Sequence, residues 1–193
     1  MGQEASLALD RLREGNARFA AGRPQARFSA EERSACLAGQ RPVAIVVGCS
    51  DSRVPVEAVF DAGPGELFVV RTAGHVLAQA SVASIRFALE KLGARLVVVL
   101  GHEDCGAVSA ALAGDAPEWL APIVNKIDVS RVDPTLAPAD ADDALLAAAV
   151  DDHVLATVAE LQELIAGMDV LHDQVIVCGG AYKLASGQVH WLG

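Results

Sequence analysis

Val43-Ala-Ile-Val-Val-Gly48 runs without a break into Cys49-Ser-Asp51-Ser-Arg53. The first half is apolar, largely β-branched and free of alternation, so it reads as a strand buried on both faces. Strands of that kind belong to parallel sheets covered by helices. The second half is a turn that opens with a thiol and sets a carboxylate and a guanidinium two residues apart.

Working outward, the pattern recurs. Leu67–Arg71 and Arg95–Leu100 read as further strands, with a helix over 78–92 between them and Gly93 at its C-terminal cap. Cys105–Ala113 begins another helix that ends near Gly114, and 117–127 reads as helical despite Pro122. The Ala/Leu-rich stretch 140–166 predicts a long helix, Gln174–Cys178 a fourth strand, and Tyr182–Leu192 a hairpin turning at Ser186-Gly187. Upstream, residues 4–20 predict a helix with Leu9, Leu12 and Phe19 inward. Residues 29–38 predict a second helix, started by a Ser29/Glu32 capping box and stopped by Gly39 and Pro42. The stretch 128–139, with Pro134 and Pro138, reads as a loop too short to mark a second domain.

The expected fold class is therefore α/β: a parallel-sheet core with flanking helices, an N-terminal helical arm and a C-terminal hairpin. The expected organisation is one domain over 1–193, with the arm at 1–40 and the α/β core at 41–193.

Composition narrows the class of function. Of 193 residues 52% are hydrophobic but only 4% aromatic, so Ala, Val and Leu must fill the core. A net charge of −10 argues against nucleic acid and anionic membrane surfaces as partners. No apolar run reaches the length of a membrane span. Met1–Leu7 has neither a basic segment nor an apolar one, so no secretory signal is expected and a cytoplasmic location is. In a reducing compartment, cysteine together with histidine points to metal or catalysis rather than to disulfides.

The chemistry gathers at strand ends. In open parallel sheets, functional groups collect at the carboxyl edge. Cys49 follows the first strand and His102 the third, so both should reach that edge. Cys105 comes three residues after His102, at the start of a helix, where the dipole and free N–H groups favour a thiolate. Gly106 beside it lets backbone approach whatever is bound. Two thiolates and an imidazole suit Zn2+, and three ligands with one position left over mark catalytic rather than structural zinc. The fourth ligand is either Asp51 or a water. Arg53 can pair with Asp51, keeping it ionised and off the metal. On its own such a pair could equally be a surface ion pair of little worth.

Cys49-Ser-Asp51-Ser-Arg53 with His102-x-x-Cys105-Gly106 closely resembles the β-class carbonic anhydrases. Pro64-Gly-Glu-x-Phe68-Val-Val-Arg71 matches as well. The resemblance runs from about Gly39 to Gly114, and more weakly over Gly179 to Leu192. It implies zinc on Cys49, His102 and Cys105, and reversible hydration of CO2 to bicarbonate and a proton by hydroxide on the metal. It implies Asp51 and Arg53 as an orienting dyad. Gln40 matches a substrate-orienting glutamine that the family offers across a dimer interface. Phe68 and Ala73 match positions lining the apolar pocket. A homodimer or dimer of dimers is implied, with CO2 and bicarbonate as small-molecule partners.

One branch of the family closes its site with the aspartate as fourth ligand. That branch has a Trp where this chain has Val46, although Val54 and Arg71 remain, so the open form is expected here. Thr72 and His75 depart from the commoner residues. His75 reads as a packed ring or as a proton carrier at the pocket mouth. Cys36 and Cys178 read as packing residues, His153 as lying on a solvated helix face beside Asp151 and Asp152, and Trp191 as part of the hairpin; His172 and His190 have no partner motif. The rival functions are a carbon disulfide or carbonyl sulfide hydrolase on the same scaffold, and a non-catalytic zinc-stabilised binding protein. A nucleotide-binding Rossmann domain is set aside, because no G-x-G-x-x-G follows the first strand.

Overall fold

A computed structural model describes residues 2–26, 28–129, 142–168 and 174–192. The chain opens with helix α1 (Gln3–Ala20) and the short α2 (Ala30–Ala35), then enters β1 (Ala44–Cys49). A helical turn α3 (Val56–Val59) leads to β2 (Leu67–Thr72), α4 (Gln79–Lys91) and β3 (Leu96–His102). There follow α5 (Gly106–Ala113), the short α6 (Ala121–Val124), the long α7 (Asp142–Ala166), β4 (Ile176–Tyr182) and β5 (Val189–Leu192). The strands lie in the order β2-β1-β3-β4-β5, parallel throughout except for β5, which runs antiparallel to β4. The α/β class and the C-terminal hairpin stand as expected from the sequence.

Both faces of the sheet are buried, and the strands divide their side chains between them by period two. Ala44, Val46, Leu96, Val98 and Leu100 face α1 and α3. Ile45, Val47, Val97 and Val99 face α4 and α7. β1 therefore needs apolar residues at every position, which is why its sequence shows no alternation.

The arm is two different things. α1 packs on its own chain through Ala5, Ala8, Leu12 and Asn16. Asn16 ties three segments together: its amide donates to the carbonyls of Val59 and Gly187, and its oxygen accepts from the amide of Val189. Asp61 anchors the exit from α1 by accepting from Arg18 and from the amides of Gln25 and Ala26. Burial alone would raise the Asp61 carboxyl, but these donors outweigh it and hold it below the usual range. α2 has its expected Ser29/Glu32 capping box, yet it buries no residue, and Leu37 beyond it is 87% exposed.

β3 and β4 run further than their composition suggests. Gly101 and Gly179 look like strand terminators, but both lie inside strands, because α7 comes down onto them. A Cβ on Gly101 would meet Val154 at 2.6 Å, and one on Gly179 would meet Val154 at 2.5 Å. Glycine is thus required for close approach rather than for a turn. The segment expected as one helix over 117–127 is broken instead into a 3-10 turn, Glu118–Leu120, and α6, with Pro122 in its first turn. Most of the loop read over 128–139, and His172, lie outside the described residues. Among the described residues no helix is long and apolar enough to cross a membrane.

Candidate metal centre

The carboxyl ends of β1 and β3 deliver their side chains to one place. Cys49 is the last residue of β1, His102 the last of β3, and Cys105 the N-cap of α5. One ligand atom from each lies within 4.8 Å of the other two, and all three residues are buried. The sulfurs of Cys49 and Cys105 are 4.0 Å apart. A tetrahedral zinc holding two sulfurs at about 2.3 Å separates them by about 3.8 Å, so the pair already has the required span.

His102 is pre-set as a ligand. Its Nδ1 lies 2.7 Å from the Glu103 carbonyl, which can only accept, so Nδ1 carries the proton. Its Nε2 is buried without a hydrogen-bond partner. An unprotonated, unpartnered nitrogen beside two thiols is costly to bury unless something takes its lone pair. The donor set and this orphaned nitrogen fit Zn2+.

The sulfurs are held by backbone. Cys49 Sγ accepts from the amides of Asp51 at 3.4 Å and Gly74 at 3.3 Å. A hydrogen bond from Cys105 is the largest influence and, with these amides and against burial, brings the Cys49 thiol down to about 4. Cys105 moves the other way: the proton it shares with Cys49 and its burial raise it, against the amides of Ala107 and Val108 in the first turn of α5. Both sulfurs bind a divalent cation as thiolates, so metal uptake would release their protons.

Asp51 and Arg53 lie beside this cluster. Arg53 donates to Asp51 through Nε at 3.0 Å and Nη2 at 2.8 Å, and its own backbone amide adds a bond of 2.8 Å. Those bonds lead in holding the Asp51 carboxyl down at about 2. Asp51 Oδ2 stands 3.9 Å from His102 Nε2. Arg53 also reaches the second motif, donating to Asp104 Oδ2 at 2.8 Å and to the Asp104 carbonyl at 3.0 Å. Arg71 fixes the Cys49–Asp51 turn from below, through the carbonyls of Cys49 at 2.8 Å and Asp51 at 2.6 Å.

Ala73 adjoins Gly74 beside the cluster, and Gly106 follows Cys105 with open space where a side chain would stand. Gln40 and Phe68 are not brought to the cluster by their own chain. Gln40 is exposed and precedes β1, at the opposite end of a strand about 17 Å long. Phe68 pairs with Ile45 near the start of β2 and packs against Phe87 at 6.3 Å.

His75 is 1% exposed, so it is a packed ring and does not sit at a pocket mouth; burial pushes it well below its usual value. His153 does not lie on a solvated face. It is 2% exposed and stacks on His75 with centroids 4.4 Å apart. Asp151 and Asp152 suggest a wet helix face, but Val150, Val154, Thr157 and Leu161 form the buried stripe, and His153 falls on it. That spacing was the signal available in the sequence. Asp104 and Gly74 carry no signal of their own; they matter only through contacts made across the fold. Elsewhere, Trp191 packs on Phe60, Cys36 donates to the Pro64 carbonyl, Cys178 is half-buried against the core, and His190 is exposed.

Residues 44–189 match the family model described as carbonic anhydrase. A carbonic anhydrase of Mycolicibacterium smegmatis is 45% identical over 187 residues, covering 92% of this chain and 88% of that one. Carbonic anhydrase 2 of Mycobacterium tuberculosis is 48% identical over 138 residues, 63% of this chain and 67% of that one. Among solved structures, the β-carbonic anhydrase CafA of Aspergillus fumigatus superposes with a TM-score of 0.69 at 26% identity, covering 97% of this chain and 89% of that one.

Proposed function

The chain belongs to the β-class carbonic anhydrases, zinc enzymes of CO2 hydration, and from that premise we propose how its residues divide the work. The observation that carries the reading is the compact Cys49, His102 and Cys105 cluster with a buried histidine nitrogen lacking any partner. These three residues would hold the ion. Zinc, when bound, supplies Lewis-acid activation of water, and two thiolates neutralising its charge shift that activation toward alkaline pH.

Asp51 is the orienting carboxylate. It is ionised and held by hydrogen bonds from the amide, Nε and Nη2 of Arg53, but Oδ2 still faces the cluster at 3.9 Å from His102 Nε2. There it can accept a hydrogen bond from the attacking oxygen and aim its lone pair at CO2. For Asp51 to become a ligand it would have to give up Arg53, so Arg53 favours the open site. Gly106 leaves room for substrate at the first turn of α5, and Ala73 lines the same side.

Gln40 and Phe68 serve the site of a second copy. Both lie toward the amino ends of the strands, with Gln40 exposed, so neither can act on the cluster of its own chain. A homodimer or dimer of dimers, with each site shared between chains, gives them a role. The working unit of each chain is one domain, with the arm at 1–40 and the core at 41–193, in a cytoplasmic enzyme.

Stopped-flow CO2 hydration against pH, with zinc measured on the same sample, tests the reading. The expected result is one zinc per chain and a rate rising toward alkaline pH. Turnover of carbonyl sulfide or carbon disulfide in place of CO2 would support the hydrolase instead. Zinc without any turnover would support a binding protein.

A further inference from the structure

We propose that His153, on α7, positions the sulfur of Cys49 through the backbone of Gly74, and so tunes the metal site without touching it. The inference rests on zinc binding at Cys49, His102 and Cys105 as read above.

His153 uses both ring nitrogens. The amide of Asp128 donates to its Nδ1 at 3.4 Å, so Nε2 carries the proton and donates to the Gly74 carbonyl at 2.9 Å. Gly74 in turn donates its own amide to Cys49 Sγ. The chain of contacts therefore runs from α7 through one residue of the 73–75 turn to a metal ligand.

That residue needs to be held. Gly74 sits at φ 62, and a Cβ there would come within 3.0 Å of both Ala107 and Ile127. A side chain there would be crowded and strained, and glycine is the residue whose dihedrals turn most freely. Fixing its carbonyl removes that freedom and so fixes the direction of its amide. The stacked ring of His75, at φ 46, supports the turn from beside His153. The approach of α7 is possible because Gly101 and Gly179 admit Val154, the residue next to His153.

The consequence is electronic. A thiolate that accepts N–H hydrogen bonds donates less charge to its metal, which leaves the metal a stronger Lewis acid. Losing the Gly74 amide should make Cys49 a stronger donor. A buried histidine that merely fills space would have no such effect.

Cobalt-substituted protein reads this directly. In His153→Phe the thiolate-to-cobalt charge-transfer band should move to lower energy. Zinc affinity by chelator competition should fall about tenfold, the low end for supporting groups around a metal, because a sulfur no longer held in place and harder to deprotonate outweighs its stronger donation. The midpoint of the pH–rate profile should move to higher pH. In His153→Gln, whose amide can donate where Nε2 does, the band should return toward wild type. A folded His153→Phe with unchanged band and zinc affinity would overturn the proposal. Should that variant not fold, wild-type protein decides: cadmium-loaded chain should show scalar coupling from the metal to the Gly74 amide proton, and the imidazole nitrogen shifts should report the Nε2–H form. No coupling, or the Nδ1–H form, overturns it. Wild-type protein that takes up no cobalt refutes the zinc reading itself, a result distinct from a normal band that His153 does not move.

Discussion

At the carboxyl ends of β1 and β3 the two sulfurs are surrounded by groups from the same chain: the amides of Asp51 and Gly74, the His102 ring, and the first turn of α5. At the amino ends, Gln40 lies exposed beyond α2, a helix that buries nothing, and Phe28 and Leu37 are exposed beside it. The first region is complete in one polypeptide. The second exposes Phe28, Leu37 and Gln40 around a capped helix that buries none of its residues, as half of a shared surface would. Metal binding should therefore survive in a single chain, whereas catalysis should need two.

The largest effect that would break this contrast is at the ligands. Cys49→Ser should abolish stoichiometric zinc and lower the melting temperature, because metal-binding energy of about 10 kcal/mol is also folding energy. Full zinc by elemental analysis would remove Cys49 from the ligand set. Next comes Asp51→Ala, which should keep zinc while kcat falls by about 10²–10⁴; undiminished turnover would end its orienting role.

Gln40→Ala tests the other end. Zinc and stability should be unchanged and kcat/KM should fall about tenfold, the value of one lost hydrogen bond near 1.4 kcal/mol. Mixing it with Cys49→Ser sharpens the point, since a mixed dimer pairs an intact Cys49 with an intact Gln40 from the other chain. Recovery of activity on mixing is expected; none would mean Gln40 does not act across the interface.

Smaller effects concern the arm. Asp61 is held below its unfolded pKa of about 3.9, so its contribution is present above that pH and lost as pH falls through the folded value. Asp61→Asn should cost about 2 kcal/mol at neutral pH, by denaturant unfolding, and the gap to wild type should close below about pH 4. Ser29→Ala should cost about 1 kcal/mol at most, since its helix buries nothing in its own chain. A larger loss that grows on dilution would put α2 in an interface.

Much of the molecule could be read before any fold was known. β1 was legible because burial on both faces leaves no room for polar alternation. The ligand triad was legible because a parallel sheet sends the residue after each strand to one edge. The ends of β3 and β4 were not, because Gly101 and Gly179 look like turns until α7 is seen to need the space. His153 reads as solvated because its neighbours in sequence are acidic, while its neighbours in the helix stripe are apolar. Sequence reading weighs the nearest residues most, and a helix buries by every third and fourth.

Which atoms can bind zinc was thus decided by the sequence alone: thiolate and imidazole chemistry belongs to the side chains, and strand ends bring them together whatever the details. How those atoms are held was decided only by tertiary structure. The Arg53 bridge to Asp104, the Arg71 grip on the turn and the His153 grip on Gly74 span 51, 20 and 79 positions in the chain. Hydrogen bonds of that span depend on distance and direction in three dimensions, which no local pattern encodes.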